Sequence, residues 1–191
     1  MNSRRLTLLI AAVVAIAGAA ALGYRTGQRL DAATGSVTED GVVRAYVSEW
    51  LEIPIPADVE FETLDGGSKM LADYRGQIVL LNFWGTWCPP CIYEIPELVQ
   101  LQPVLEEMGG TVIGPAVDSG SSEAIEEYAT ELGINYPIFK SYTNQAVGTF
   151  AAAGYPYTLL IDREGVIRKT YLGPQTMQIL LEDVRRLEAE E

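Results

Sequence analysis

The sequence predicts an α/β domain in which helices flank a mixed central sheet. From about residue 58 onward, β-prone apolar runs alternate with segments of helical periodicity, a pattern typical of layered α/β domains. The turn Asp162-Arg163-Glu164-Gly165 separates two such runs and indicates a hairpin. Apolar residues make up 48% of the 191 residues and charged residues 20%, as expected for a chain with a hydrophobic core.

The N-terminus predicts a membrane segment. A short leader, residues 1–5, contains two arginines, and the apolar run that follows, residues 6–23, is long enough to span a bilayer. We expect a single-pass signal anchor, because the apolar region of a cleaved signal peptide usually has only about 7 to 15 residues. Cleavage at a small-residue site such as Ala17-Gly18-Ala19 is the alternative. With the leader in the cytoplasm, the rest of the chain lies on the periplasmic or extracytoplasmic side of the cytoplasmic membrane.

Residues 24–57 predict a linker with a short amphipathic helix. Four apolar side chains in this segment recur at helical spacing: Val43, Tyr46, Val47 and Trp50. Pro54 and Pro56 end the pattern, because proline continues neither a helix nor a central strand. We therefore expect the folded domain to cover residues 58–191.

The elements of this domain follow from apolar runs and periodicity along the chain. Strands are predicted at residues 78–84, 111–117, 136–139, 157–161 and 166–171. Helices are predicted at about residues 88–108, 122–132 and 176–190.

Two cysteines lie between the first of these strands and the helix that follows, in Trp87-Cys88-Pro89-Pro90-Cys91. A thiolate at a helix N-terminus is stabilised by free N–H groups and by the helix dipole, which lowers the thiol pKa. We therefore predict that Cys88 attacks a disulfide and that Cys91, one turn further on, resolves the mixed disulfide. The alternative is a structural disulfide or a pair of buried thiols.

Composition excludes several other kinds of chemistry. The chain has no histidine, which excludes Ser-His and Cys-His catalysis and histidine metal sites. Two cysteines cannot supply the usual four-ligand zinc site, so no metal or cofactor is predicted. Beyond Arg25 the chain has 10 bases and 26 acids, a formal charge of 10 minus 26, or −16. Such a charge repels nucleic acid and favours positively charged protein partners.

The sequence around the cysteines resembles a known family. The run IVLLNFWGTWCPPC at residues 78–91, followed by Glu94, Pro96 and Leu98, is similar to the membrane-anchored thioredoxin-like proteins of the TlpA, ResA and DsbE (CcmG) type. The resemblance covers most of residues 58–191 and implies a thioredoxin fold. By the same resemblance, residues 122–139 are the extra helix and strand that separate this group from minimal thioredoxins.

The resemblance also implies a substrate groove. Pro156 matches the cis-proline that faces the cysteines and shapes the groove in which an extended client segment binds. Tyr155 stands where the family usually has a smaller residue before this proline, which puts the partner preference in doubt. Trp87 is expected to face the partner. The alternative is an ordinary trans proline at the start of a strand.

Glu94 is the candidate acid of the site. It follows Cys91 by three residues and shares a helix face with it, and the matching glutamate of ResA-like proteins is an active-site acid. Asn82 occupies the position where simple thioredoxins keep a buried acid, and it cannot titrate. Proton transfer to and from Cys91 is therefore assigned to Glu94. The alternative is an exposed helix glutamate with no role.

The resemblance implies an enzyme, a protein-disulfide reductase. Its clients would be exported proteins such as apocytochrome c or its maturation partners, and its electron donor a membrane protein of the DsbD or CcdA kind. Pro89 and Pro90 lack N–H groups that would stabilise the Cys88 thiolate, which predicts a reducing pair. The alternatives are a reductant or chaperone for copper-site assembly, as in the TlpA branch, and a thiol peroxidase of the same fold. The peroxidase signature Pro-x-x-x-Thr-x-x-Cys is absent.

Overall fold

The computed structural model describes residues 46–190. The predicted leader and membrane anchor, residues 1–23, lie outside the described residues, as does most of the predicted linker. Within the described range, no helix combines the length and the hydropathy needed to cross a membrane.

Residues 46–190 form nine strands and four α-helices. The strands are β1 Tyr46–Val47, β2 Ile53–Pro54, β3 Glu60–Thr63, β4 Ser68–Met70, β5 Ile78–Phe83, β6 Gly110–Val117, β7 Ile138–Ser141, β8 Tyr157–Ile161 and β9 Val166–Leu172. The helices are α1 Cys91–Glu107, α2 Ser122–Glu131, α3 Thr143–Phe150 and α4 Met177–Glu190, and a 3₁₀ turn spans Leu71–Tyr74.

The strands form one mixed sheet in the order β1-β9-β8-β5-β6-β7-β3-β4, with β2 also paired to β9. β5, β6 and β7 run parallel to one another, and β8 is antiparallel to β5. The mixed sheet flanked by helices is therefore confirmed. We define the cysteine end of the sheet as the end at which β5, β6 and β7 finish and β8 begins. At this end β5 leads into the cysteines. The other end is the opposite end.

Alternation along β5 builds a core on both faces of the sheet, since successive side chains of a strand point to opposite faces. Val79, Leu81 and Phe83 pack into one cluster with residues of β3 and β8. Ile78 and Leu80 pack on the other face against apolar residues of α1 and α4. All six residues of β5 are buried, as expected for a strand covered on both faces.

Helix α1 continues through two internal prolines. Pro103 cannot donate to the carbonyl oxygen of Val99, four residues earlier. That oxygen instead accepts a hydrogen bond from Asn135 Nδ2 at 3.1 Å, so a side chain from the loop before β7 replaces the missing backbone donor. This hydrogen bond from Asn135 satisfies the Val99 carbonyl oxygen, and α1 continues past Pro103 to Glu107.

Several predicted boundaries need correction. The helix predicted from residue 88 begins at Cys91, and the strand predicted at residues 136–139 is observed at Ile138–Ser141. Helix α3 and strand β4 were not predicted as separate elements. Each of these missed elements has eight residues or fewer, which is too short for a clear hydrophobic period.

The amphipathic helix predicted in the linker is wrong for the described part of that segment. Residues 46–54 instead run antiparallel along β9, as β1 and β2. Ser48 N–H donates to Thr170 O at 2.9 Å, and Leu51 N–H donates to Arg168 O at 2.7 Å. Without this segment, β9 would expose unpaired backbone groups along its outer side. Within the described residues, the sheet therefore includes Tyr46, which lies before the predicted domain boundary at residue 58.

Candidate active site

The two cysteines form a disulfide at the cysteine end of the sheet. Cys88 lies in the turn after β5, and Cys91 is the first residue of α1, with 5.5 Å between their Cα atoms. Both are buried, with Cys88 3% and Cys91 1% exposed.

The first N–H groups of α1 are already used within the motif. The N–H groups of Cys91, Ile92 and Tyr93 donate to the carbonyl oxygens of Cys88, Pro89 and Pro90, at 3.1 to 3.2 Å. Pro89 and Pro90 have no N–H to offer. The backbone of this turn therefore directs few hydrogen-bond donors toward the Cys88 sulfur.

Trp87 is held beside the disulfide by the end of β6 and the loop that follows it. Its Nε1 donates to Val117 O at 2.9 Å, and the Thr86 N–H next to it donates to Ser119 Oγ at 3.1 Å. About half of the Trp87 side chain, 49%, stays exposed. Its partly exposed ring meets Tyr155 edge-on, with 5.4 Å between the ring centroids. Trp87 is thus fixed in place while presenting a face to solvent.

The peptide bond between Tyr155 and Pro156 is cis, as the resemblance implies, and the alternative of a trans proline is wrong. Pro156 is buried. Tyr155 is partly buried and packs against the cluster that contains Cys88 and Cys91. The structure therefore brings the cis-proline segment, Trp87 and both cysteines together, and the use of this arrangement as a client groove remains a prediction.

Glu94 is buried rather than exposed, with only 1% of its surface accessible. Its Oε2 accepts a hydrogen bond from Asn82 Nδ2 at 2.7 Å. Its Oε1 accepts from the Gln175 N–H at 3.1 Å and, more weakly, from Thr158 Oγ1 at 3.4 Å. The alternative of an exposed glutamate is therefore wrong, and α1 places this carboxyl one turn from Cys91 on the buried side of the helix.

Burial controls the titration of Glu94. Removal from water raises the pKa of Glu94 to about 8, although the hydrogen bonds from Gln175, Asn82 and Thr158 oppose the rise. Desolvation outweighs three donors because water would stabilise the carboxylate more strongly than they do. A carboxyl group with this pKa exchanges protons readily near neutral pH, as a general acid or base must.

The sequence did not identify the groups that hold this carboxyl. Thr158 and Asn82 are directly paired across β8 and β5, so a correct pairing of these strands would have placed both beside α1. Gln175 acts through its backbone, in the loop before α4, and no local pattern marks it. The sequence identifies Asn82 only as a group that cannot titrate, but in the structure its Nδ2 donates to Glu94. The Asn82 Oδ1 has no hydrogen-bond donor among the described residues.

Trp84 has a purely structural position. Its side chain is fully buried, its Nε1 donates to Gly114 O at 3.1 Å, and its ring stacks on Tyr128. Among residues 46–190, no group of three or more Cys, Asp or Glu side chains is arranged to hold a metal ion.

Comparisons with known proteins agree with this geometry. The family model described as the AhpC/TSA family matches residues 54–170. The thiol-disulfide oxidoreductase ResA of Geobacillus kaustophilus (strain HTA426) is 34% identical over 130 residues, which cover 68% of this chain and 71% of that protein.

Solved structures share the fold. A DsbF homologue from Corynebacterium diphtheriae is 28% identical, with a TM-score of 0.61 and coverage of 74% of this chain and 87% of that one. A thiol:disulfide interchange protein DsbE from Chlorobium tepidum has a TM-score of 0.65, covering 73% of this chain and 99% of that one. At 22% identity, the latter likeness shows the fold alone.

The fold and the cysteine pair define the class of protein as thioredoxin-like thiol-disulfide oxidoreductases, redox enzymes that work through a disulfide. Within this class, the chain belongs to the AhpC/TSA family, and its similar curated relatives are of the ResA type.

Proposed function

We propose that this protein reduces disulfide bonds in exported client proteins. In the reduced enzyme, the Cys88 thiolate attacks one sulfur of the client disulfide, forms a mixed disulfide and releases the other client sulfur as a thiolate. The Cys91 thiolate then attacks Cys88 Sγ, releases the second client thiolate and forms the Cys88–Cys91 disulfide that the structure contains. Two electrons pass from the cysteine pair to the client.

The hydrogen bonding of the motif supports a reductant rather than an oxidant. A disulfide oxidises strongly when its reduced form is stabilised, chiefly by donors to the attacking thiolate. Here the first three N–H groups of α1 bond to carbonyl oxygens, and the two prolines offer none. A weakly stabilised thiolate at Cys88 favours transfer of electrons to the client. This is the observation that carries the proposal.

Glu94 serves as the proton donor and acceptor for Cys91 in this scheme. The carboxyl lies on the same face of α1 as Cys91, is as deeply buried, and has a pKa raised to about 8. As a base it takes the Cys91 proton before that sulfur attacks, and as an acid it returns the proton when the pair is reduced again.

The clients and the location are proposed from the resemblance to ResA and DsbE type proteins. Apocytochrome c, with two cysteines in Cys-x-x-Cys-His, is the proposed client, which places the enzyme in cytochrome c maturation. The apolar run at residues 6–23 supports a single-pass anchor, with the catalytic domain on the extracytoplasmic side of the membrane. A membrane thiol donor of the DsbD or CcdA kind would reduce the Cys88–Cys91 disulfide after each cycle.

The test uses the resolving cysteine. Reduced Cys91→Ala protein, mixed with an oxidised peptide containing Cys-x-x-Cys-His, is expected to form a mixed disulfide through Cys88 that mass spectrometry identifies. The matched control, Cys88→Ala, is expected to form none. We also expect a reduction potential of about −200 mV or lower, against about −120 mV for strongly oxidising periplasmic thiol proteins. A potential near the latter value contradicts the assignment as a reductant.

The same preparations test the two alternatives. Tight, stoichiometric Cu(I) binding by the reduced protein, without disulfide reduction, would favour a copper chaperone. Turnover of hydrogen peroxide through a sulfenic acid at Cys88 would favour a peroxidase. Under our proposal, the reduced pair reacts with the peptide disulfide much faster than with peroxide.

A further inference from the structure

The charges of this domain are distributed unevenly between the two ends of the sheet. From residue 76 to residue 162 the chain contains ten acids and a single base, Lys140; of these acids, Glu106, Glu107 and Asp162 lie at the opposite end of the sheet, and Glu94 is buried. That base forms an ion pair with Glu62 at 2.7 Å. This stretch includes the cysteine motif, the loop after β6, helix α2 and the cis-proline segment, which together surround the disulfide.

Beyond α1, acids that border the site lie on α2 and on the loop before it. Ile125 and Tyr128 of α2 pack in the same cluster as Cys88 and Cys91, so this helix borders the site. Three acids in its first two turns are exposed: Glu123, Glu126 and Glu127. Asp118, in the loop between β6 and α2, accepts hydrogen bonds from the N–H and the hydroxyl of Thr143 at the start of α3.

Basic residues lie near the opposite end of the sheet. Arg163 donates to Met108 O at the end of α1, and Arg168 contacts Asp162 in the turn between β8 and β9. Arg75 packs over Gly165 in the same turn. The described domain therefore has an acidic cysteine end and an opposite end where acids and bases alternate.

Apolar surface accompanies the acids at the cysteine end. Among the described residues, eight large hydrophobic side chains are exposed, and three of them flank the disulfide: Trp87 at 49%, Ile92 at 40% and Tyr93 at 75%. Tyr142, 49% exposed, directly follows β7 at the same end of the sheet. Exposed aromatic side chains beside a reactive disulfide, bordered by charges of one sign, are typical of a protein-binding surface.

We propose that this face, formed by Trp87, Ile92 and Tyr93 and bordered by the acids of α2, binds an extended client segment that carries Lys or Arg beside its cysteines. The inference rests on the proposed function and adds the charge of the client. Apolar contact with the aromatic side chains holds the segment, and the acids of α2 attract its basic residues. Because these acids are exposed, their attraction mainly accelerates association and weakens with salt.

The experiment compares two peptides with the same disulfide core, flanked by two lysines in one peptide and by two glutamates in the other. Reduction by the reduced full-length protein is followed at low and at high salt. We expect the lysine peptide to react at least about tenfold faster at low salt, with the ratio falling toward one at high salt. Equal rates for the two peptides at low salt overturn the inference and leave the proposed reductase intact.

Matched variants locate the effect. A triple variant is expected to remove most of the preference for the lysine peptide; it combines Glu123→Gln, Glu126→Gln and Glu127→Gln. The control combines Glu52→Gln, Glu107→Gln and Glu164→Gln, three exposed acids away from the cysteine end, and changes net charge by the same amount. If both triple variants lose the preference equally, net charge and not this surface is responsible, and the inference fails. Failure to reduce either peptide contradicts the proposed function itself.

Discussion

At the residue scale, Glu94 has the most unusual environment in the described domain. It is a carboxyl group with 1% exposure, held by one backbone and two side-chain donors. Such a group usually costs stability, because burial disfavours its charged form. Its position one turn from a redox cysteine suits a proton-transfer role, since pKa values shifted toward neutrality cluster at functional sites.

The raised pKa of Glu94 predicts a specific pH dependence of stability. Because the pKa of Glu94 is about 8 in the folded protein against an ordinary value of 4.5, the folded state binds more protons than the unfolded state between these pH values. The free energy of unfolding therefore falls as pH rises from about 5 to about 8, by an amount on the order of a few kcal/mol. Glu94→Gln is expected to remove this fall, as measured by denaturation of the oxidised protein at several pH values.

An exposed acid provides the control for this prediction. Glu127→Gln, on the solvent side of α2, is expected to leave the pH dependence of stability unchanged. If wild-type protein and Glu94→Gln lose stability in parallel between pH 5 and pH 8, then Glu94 is not the group that titrates.

At the scale of elements, the close pairing of β5 and β6 positions the two segments that follow these strands. These segments are the cysteine turn after β5 and the loop after β6. Gly110 begins β6 directly opposite Ile78. A Cβ added at Gly110 would lie 2.6 Å from Ile78 O, an atom of the neighbouring backbone that cannot move away alone. This close approach explains why a residue without a side chain stands here.

We predict that Gly110→Ala destabilises the domain by about 1 to 3 kcal/mol, because the two strands must separate to admit the methyl group. Chemical denaturation measures the change in free energy of unfolding. The matched control is Gly148→Ala in α3, where an added Cβ meets no atom within 4 Å. That substitution is expected to stabilise the protein by about 0.5 to 1 kcal/mol, since alanine favours the helix. Equal effects of the two substitutions would contradict the argument.

At the scale of the whole molecule, the segment before the predicted domain boundary completes the sheet. Trp50, between β1 and β2, packs against the core beneath α4. The charged groups of Lys169 and Arg186 lie over its ring, at 5.5 and 4.7 Å from the centroid. Lys169 is also paired with Asp183 at 2.7 Å, so the segment, β9 and α4 are joined at one place.

Trp50→Ala is expected to lower the free energy of unfolding by about 2 kcal/mol, through lost apolar burial and lost cation–π contacts. Urea denaturation of the full chain measures the change. Ile53→Ala is the comparison, because that side chain is 50% exposed and its removal is expected to change stability by less than about 0.5 kcal/mol. A Trp50→Ala effect as small as that of Ile53→Ala would mean that the segment adds little to the fold.

The sequence by itself determined the parts of this protein that depend on neighbouring residues. The cysteine motif lies between a strand and a helix, and the strands β5, β6, β8 and β9 and the final helix follow from apolar runs and periodicity. These features are local, since a strand alternates every second residue and a helix repeats over a few. The resemblance to the thioredoxin-like family also predicted the cis peptide bond before Pro156.

Only the tertiary structure decided how the site is completed. The donors to Glu94 come from residues 12, 64 and 81 positions away in the chain, and its burial requires β5, β8 and the loop before α4 together. In the same way, Tyr46, Val47 and Trp50 recur at helical spacing in the sequence, but β1 and β2 in this segment pair with β9, more than 100 positions later. The burial of Glu94 and the pairing of β1 and β2 with β9 arise from contacts between distant segments, so no local pattern encodes them.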